Sequence, residues 1–248
     1  MARTAWATRI GYLALIVAIA GAAAMFAGAT MVRYAGESDK LAGFGWVPLG
    51  MQIAAGGFLL AVVAIVWRLV SKSGKARPGI LALLVAGVPL AWLAAQIVPA
   101  SDVPAIHDVT TDLDNPPAFA TLTLPEDNLR GVETVEKWRE LHEGAYSDIA
   151  PLTVSAAPAQ VVEAAAEMAA ERGWQVHASE PAEGRMEATD VVSYYRFSDD
   201  VVIRATEADG GGTRVDMRSV SRVGISDLGY NAERIRTFLA DLEGRLES

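Results

Sequence analysis

Three long stretches of this sequence carry no charged side chain, and they constrain the fold more than any other feature. They cover residues 10–32, 47–67 and 79–98. A helix of 23 residues is about 34 Å long, which exceeds the roughly 30 Å hydrocarbon core of a bilayer. The sequence therefore predicts three transmembrane helices within residues 1–99. Because no Asp, Glu, Lys, Arg or His lies inside a predicted span, the bundle is predicted to anchor the chain in the lipid bilayer rather than to conduct ions or protons.

Charge is distributed unevenly along the chain, and this predicts the orientation. Residues 1–99 contain eight Lys and Arg and two Asp and Glu, whereas residues 100–248 contain thirteen and twenty-eight, so the formal charges are +6 and −15. Six of the eight basic residues lie in the N-terminal tail and the second connection: Arg3, Arg9, Arg68, Lys72, Lys75 and Arg77. Because basic residues are retained on the cytoplasmic side, the N-terminus is predicted to be cytoplasmic and the C-terminal domain to be outside. A cleaved signal peptide in place of the first span is the alternative, and it leaves the domain on the same side.

Residues 100–131 are predicted to form an extended linker. Four prolines, at positions 104, 116, 117 and 125, forbid long helices in this segment. Apolar side chains also occur there, among them Ile106, Val109, Leu113, Phe119 and Leu122. The linker is therefore expected to pack along the domain that follows.

Residues 132–248 show the periodicities of an α+β domain. A short helix is predicted from Val132 to His142. The following elements are then predicted in order: a strand at 152–155, a helix at 158–172, strands at 174–178, 185–191, 200–206 and 213–222, and a helix from about residue 228. The order from residue 152 is β-α-β4-α. An antiparallel sheet with both helices on one face buries the apolar side of every element.

Two segments carry a resemblance to a known family. They are PAIHDVTTD at residues 104–112 and RSVSRVGISDLGYNAERI at residues 218–235. The shorter matches are PPAF at 116–119, GW at 173–174 and DDVVIR at 199–204. Together they resemble the bacterial family called domain of unknown function 1499, over roughly residues 100–246. The resemblance implies a bacterial protein and supplies no catalytic residues. With the three predicted spans and the predicted orientation, it places the chain in a bacterial inner membrane with a periplasmic domain. The order of elements is also similar to TBP-like and helix-grip folds, some of which hold apolar ligands.

The first candidate site follows the third predicted span. His107, Asp108, Thr111 and Asp112 lie within six residues. The two carboxylates are weak candidates for cation ligands, and His107 is a candidate base. The alternative is that these short side chains bond backbone amides in a proline-rich turn. No cofactor is predicted.

The second candidate site lies at the junction between the last strand and the last helix. Its members are Arg218, Ser219, Ser221, Arg222, Asp227, Asn231 and Arg234. Convergent guanidiniums at a helix N-terminus bind a phosphate or carboxylate group. The alternative is a buried ion-pair network with Asp199, Asp200 or Asp227.

These observations favour a non-enzymatic domain that binds an envelope ligand, either an anionic lipid or a cell-wall component, or a protein partner. The alternative is a hydrolase that uses a metal at His107, Asp108 and Asp112, or Ser219 or Ser221 as nucleophile. The serines lack a G-x-S-x-G motif. The absence of cysteine excludes disulfides and a thiol nucleophile. A domain with a charge of −15 disfavours nucleic acid as a partner.

Overall fold

The computed structural model describes residues 6–36, 39–97, 103–192 and 194–247. The chain divides into two compact units, residues 1–101 and 102–248, and each is described by itself. The end of the third predicted span at residue 98 and the start of the predicted linker at residues 100–102 lie outside the described residues.

The first unit is helical. Its helices are α1 (Trp6–Tyr34), α2 (Lys40–Phe44), α3 (Trp46–Ser71) and α4 (Arg77–Ile97). Three helical stretches in this unit are long and apolar enough to cross a membrane, with mean hydropathy between 2.0 and 2.3. These three candidate spans suggest a multi-pass membrane protein, as the uncharged stretches predict. The short helix α2 is not predicted by the sequence pattern.

Helices α1 and α3 approach each other closely at glycine and alanine. A Cβ atom added to Gly21 would lie 2.4 Å from the backbone nitrogen of Ala54, and one added to Gly50 would lie 2.5 Å from that of Met25. Such distances leave no room for a side chain. Small residues therefore allow the two backbones to pack together, as is common between membrane helices.

The described residues of the second unit form one antiparallel sheet and three α-helices. The strands are β1 (Asp108–Thr110), β2 (Leu152–Val154), β3 (Gln175–Glu180), β4 (Arg185–Val192), β5 (Phe197–Glu207) and β6 (Thr213–Ser221), and the helices are α5 (Val135–Tyr146), α6 (Pro158–Glu171) and α7 (Tyr230–Leu246). The strand order is β1-β6-β5-β4-β3, and β2 also pairs with β6. Strands β1 and β2 share one edge of β6, because Asp108 pairs with Val220 and Leu152 with Val215. This is the predicted α+β domain with one further strand, β1, inside the predicted linker.

The core lies between one sheet face and helices α6 and α7. Alternate residues of β4, β5 and β6 supply the sheet side of the core: Met186, Ala188, Val201, Ile203, Val215 and Met217. The helices supply residues at spacings of three and four, which is the pattern of a helix with one buried face: Val161, Ala165, Met168, Ile235, Phe238, Leu239 and Leu242. Trp174 stacks on Phe238 with 5.0 Å between ring centroids. Both helices therefore lie on the same face of the sheet.

Helix α5 covers the outer edge of β1. The indole nitrogen of Trp138 donates to the carbonyl of Asp108 at 2.9 Å, and Nε2 of His142 accepts from the amide of Thr110 at 3.2 Å. A sheet edge with unpaired backbone groups invites pairing with other chains. In β1, the side chains of Trp138 and His142 form hydrogen bonds with two of these backbone groups instead.

The predicted bounds of helices α5 and α7 differ from the observed ones. Helix α5 ends at Tyr146, not His142, and the two predicted starts are wrong for local reasons. Helix α5 begins at Val135, not Val132, because the side chain of Thr134 caps it by accepting from the amide of Lys137 at 3.1 Å. Helix α7 begins at Tyr230 rather than Leu228, because Leu228 and Gly229 both have positive φ angles, which a helix does not accommodate.

Segment 111–130 lies against the sheet face opposite α6 and α7. The carboxylate of Glu187, which is fully buried, accepts from the amides of Ala120, Thr121 and Leu122 at 2.7 to 3.1 Å. Arg218 donates to the carbonyl of Pro117 at 3.3 Å. One buried carboxylate thus supplies acceptors for three successive amides of the proline-rich segment.

Candidate functional site

Alternation along β6 separates the residues of the second candidate site. Successive side chains of a strand point to opposite faces. Arg218 and Arg222 form their ion pairs with Asp108 and Asp200, whereas Ser219 and Ser221 contact Asn231 at the start of α7. The predicted site is therefore two networks on opposite faces of the sheet.

Arg218 and Arg222 each meet one carboxylate through two nitrogens. Arg218 binds Asp108 at 2.6 and 2.9 Å, and Arg222 binds Asp200 at 2.8 and 2.9 Å. Asn128 also donates to Asp108, at 2.5 Å. These bidentate pairs neutralise both guanidiniums within the domain.

Asp112 belongs to a second group of ion pairs on the same face. Its Oδ2 lies 3.3 Å from Arg204 and 3.1 Å from Arg214, and both arginines also bind Asp216. Burial alone would raise the pKa of Asp112. The amide of Asn115 and the two guanidiniums outweigh burial and lower this pKa below its ordinary value. Asp112 therefore balances positive charge that is already present.

Thr111 binds a carboxylate rather than a cation. Its Oγ1 donates to Asp216 at 3.4 Å and accepts from the amide of Met217 at 2.9 Å. Within the described parts of the chain, no group of three or more His, Cys, Asp or Glu could hold a metal ion. The weak metal candidates Asp108 and Asp112 thus lie in pairs with arginine and without a third ligand of this kind.

The network on the core face centres on Arg234, of which only 7% is exposed. Its guanidinium binds Asp199 at 2.7 Å, Asp190 at 3.0 Å and the hydroxyl of Ser219 at 2.9 Å. It also donates to the side-chain oxygen of Asn231 at 2.5 Å. Burial raises the pKa of Asp199, and the guanidinium of Arg234 opposes this shift. The arginine and its partners form a filled network.

Asn231 links this network to β6 and to the segment before β1. Its side-chain amide donates to the carbonyl of His107 and to the hydroxyl of Ser221, both at 2.9 Å, and its oxygen accepts from Ser219 at 2.7 Å. The two serines are therefore engaged with an amide and a guanidinium.

His107 enters this arrangement through its backbone carbonyl. His107 is buried, since only 2% of the residue is exposed. Burial is the largest influence on the pKa of His107 and lowers it, and the positive charge of Arg130 acts in the same direction. Among the described residues, no hydrogen bond joins the ring to Ser219 or Ser221. Ser219 and Ser221 therefore do not form a catalytic triad with His107.

The 223–230 loop, by which we mean residues 223–229 together with Tyr230, the first residue of α7, is held in place from several sides. Arg130 donates to the carbonyls of Ser221 and Gly224, both at 2.6 Å. The carboxylate of Asp227 accepts from the amides of Gly229 at 2.9 Å and Asn231 at 2.7 Å. The amide of Asp227 in turn donates to the carbonyl of Ile106 at 3.2 Å. These hydrogen bonds fix the backbone of the loop relative to the domain.

The 223–230 loop presents apolar side chains to the outside. Ile225, Leu228 and Tyr230 are 56%, 43% and 48% exposed, and they are the three exposed residues of the loop. Leu228 has a φ angle of +57°, a conformation that costs a non-glycine residue on the order of 1 kcal/mol. Sequence reasoning missed this feature, although the exposed positions stand out in the run VGISDLGY as apolar residues between glycines and short polar residues.

A shallow hollow adjoins Tyr230. It has a volume of about 290 Å³ and is lined in part by Trp174, Val192, Glu233 and Thr237. Val192 ends β4 and Tyr230 begins α7, so the hollow lies between the end of this strand and the start of this helix. The connections after β4 and after β6 lie at the same end of the sheet.

Comparisons with known proteins identify a family and no activity. No curated protein and no solved structure matches this chain. A family described as "Protein of unknown function (DUF1499)" matches residues 108–242, which is more than half of the chain. The match begins at the first residue of β1 and ends within α7, so it includes the whole sheet and both networks. The chain belongs to the DUF1499 family.

Proposed function

We propose that this protein is a non-enzymatic binding protein anchored in a bacterial inner membrane. Its N-terminus lies in the cytoplasm and its α+β domain lies in the periplasm, where the domain contacts a lipid, a cell-wall component or a protein. The orientation is supported by the basic residues of the second connection, Arg68, Lys72, Lys75 and Arg77.

The 223–230 loop is the observation that carries the binding proposal. Exposed apolar side chains that cluster on a fixed loop favour contact with a partner, because burying them on binding releases water at little conformational cost. The positive φ angle of Leu228 adds a local strain that the surrounding network must hold. Strain of this kind concentrates at functional sites.

In this proposal the residues of the second candidate site support the loop instead of binding an anion. An anion at Arg218, Arg222 or Arg234 would have to displace a carboxylate from each guanidinium. Asp227 and Asn231 fix the backbone of the loop and the start of α7. Their role is to keep the side chains of Ile225, Leu228 and Tyr230 exposed to solvent.

The analogy with TBP-like and helix-grip folds supports an apolar partner but not an internal one. Between the sheet and the helices, Phe238, Met186 and Met217 fill the space and are fully buried. A ligand inside the domain would have to displace this core. We therefore place the partner on the outside, at the 223–230 loop.

The test uses the absence of cysteine from the chain. Leu228→Cys is compared with Asp209→Cys, an exposed position in the turn between β5 and β6. Membrane fragments from the cells that naturally contain the protein are treated with a membrane-impermeant maleimide. We expect slow labelling at residue 228 and fast labelling at residue 209, with the difference removed by detergent. Equal labelling rates in the membrane fragments would overturn the proposed function.

A further inference from the structure

We infer that the partner of the 223–230 loop is the interfacial region of the bilayer in which the protein is anchored. This inference rests on the proposed function, because it names the occupant of the same surface. It assigns Ile225, Leu228 and Tyr230 to contact with lipid, so that the domain touches the membrane by its own side chains as well as through its anchor.

The length of the chain brings lipid within reach of the loop. Helix α4 ends at Ile97, and five residues, 98–102, precede Val103. A stretch of this length spans at most about 20 Å. Val103 packs against the domain core, and its Cγ2 would lie 3.6 Å from a Cβ atom on Gly229. The loop therefore lies beside Val103, the first described residue of the domain after helix α4.

The chemistry of the exposed side chains suits the membrane interface. Tyrosine is enriched there because its ring is apolar and its hydroxyl remains in contact with water. Ile225 and Leu228 supply purely apolar surface next to Tyr230. Val191, near the end of β4, and Tyr194, after β4, are also exposed, and Val192 shares a hollow with Tyr230. The connections after β4 and after β6 lie at the same end of the sheet.

The charge of the domain indicates which lipids this contact requires. Residues 100–248 carry a formal charge of −15, which repels anionic headgroups. The exposed side chains of the loop carry no charge of their own. The contact therefore depends on apolar insertion, and a bilayer of zwitterionic phosphatidylcholine is sufficient for it.

The experiment places the full chain in phosphatidylcholine nanodiscs, which leave both membrane faces accessible. A nitroxide label is attached in turn to Ile225→Cys, Leu228→Cys, Tyr230→Cys and the control Asp209→Cys. Collisions of each label with oxygen, which concentrates in lipid, are compared with collisions with a water-soluble nickel chelate. We expect a severalfold higher ratio of oxygen to nickel collisions at the three loop positions than at residue 209. Three independent positions keep the test valid if one variant fails to fold.

The maleimide experiment separates the two proposals. Slow labelling of residue 228 in both native membranes and nanodiscs supports both of them. Slow labelling in native membranes together with fast labelling in nanodiscs would overturn the lipid contact and leave a protein or cell-wall partner. Fast labelling in both would overturn the lipid contact and the proposed function together.

Discussion

At Arg234, one nearly buried guanidinium serves two carboxylates, a hydroxyl and an amide. Removing one partner of a buried ion pair costs more than the pair itself contributes, because the remaining charge stays buried without compensation. Asp199 is in that position, since it is buried and its closest cation is Arg234 at 2.7 Å. The stability of the α7 junction therefore depends on this arginine.

Arg234→Met is expected to lower the free energy of unfolding of the domain by about 3–5 kcal/mol. The measurement is pulse proteolysis of the full chain in detergent across a urea series. Arg139→Met is the matched control, because Arg139 pairs with the almost fully exposed Asp114, and such pairs contribute little. Similar shifts of the urea midpoint in both variants would contradict the structural role of Arg234.

Two buried histidines make the stability of the domain depend on pH. Burial lowers the pKa of both His107 and His142, whereas in the unfolded chain a histidine titrates near its ordinary pKa of about 6.5. Below that pH the two histidines bind protons in the unfolded state but bind fewer in the folded state. The histidines therefore stabilise the fold fully above about pH 6.5 and lose this contribution as the pH falls from there toward their lowered pKa values.

The urea midpoint of the wild-type protein is compared with that of the double variant His107→Gln/His142→Gln at about pH 7.5 and about pH 5.5. The wild type is expected to lose more stability on acidification than the double variant. Asp199 and Asp227 act in the opposite direction in both proteins, because burial raises the pKa of each. A double variant with the same loss as the wild type would show that these histidines are not responsible.

Among the elements, the proline-rich segment before α5 is the one whose role the structure changes most. It contributes β1 to the sheet, and its residues 120–122 bind the carboxylate of Glu187. Trp138 and His142 hold the backbone of β1, and Glu187 holds residues 120–122. The segment is a covering layer of the sheet.

Glu187→Ala is expected to release this layer and to lower the free energy of unfolding by on the order of 3 kcal/mol, because three amides lose a charged acceptor. Limited chymotrypsin digestion should then cleave near Phe119 and Leu122 much faster than in the wild type. Glu183→Ala, at an exposed carboxylate before β4, serves as the control and should leave cleavage unchanged. Unchanged cleavage in Glu187→Ala would mean that other contacts hold the segment.

Elements with a strong local signal were predictable from the sequence. Helix α6 follows from its apolar spacing between Pro158 and Gly173, and β5 and β6 follow from alternation on either side of the glycine turn at 210–212. Strand β1 has only three residues, which is too few for a periodicity. It forms because it pairs with β6, which lies about 110 residues later in the sequence. Glu187 has no sequence signal at all, since its partners are backbone amides.

For the second candidate site, the separation onto two sheet faces could have been predicted from the sequence, but the ion-pair partners could not. Arg218 and Arg222 differ from Ser219 and Ser221 by an odd number of positions, so alternation along β6 already implied opposite faces. Which acidic residues would meet the arginines depends on the pairing of β1 and β5 with β6. That pairing is a property of the fold and could not be derived from local spacing.

For the whole molecule, the distribution of basic residues predicts the orientation in the membrane. Changing Arg68, Lys72, Lys75 and Arg77 to neutral residues should yield a mixed population, because the cytoplasmic side then loses most of its positive charge. A reporter that is active only outside the cytoplasm, fused after residue 248, should be active in the wild type and lose part of its activity in the variant.

A fusion of the same reporter between residues 71 and 75 should be inactive in the wild type. An inactive C-terminal fusion, combined with a domain that resists protease added to intact spheroplasts, would place the domain in the cytoplasm. The lipid contact of the 223–230 loop would then involve the inner leaflet, and the labelling experiments would still report on it, because they expose both faces.

The shared edge of β6 also sets the order of events when the chain is made. Asp108 and Arg218 are 110 residues apart, so at ordinary synthesis rates β1 waits about 5–20 s for its neighbour. Strand β2 waits for the same neighbour, since both pair with β6. Such distant pairing slows folding, and it makes completion of the sheet depend on β6. A chain interrupted before Thr213 loses the pairing of β1, β2 and β5 with β6 and leaves the unfinished domain open to proteases.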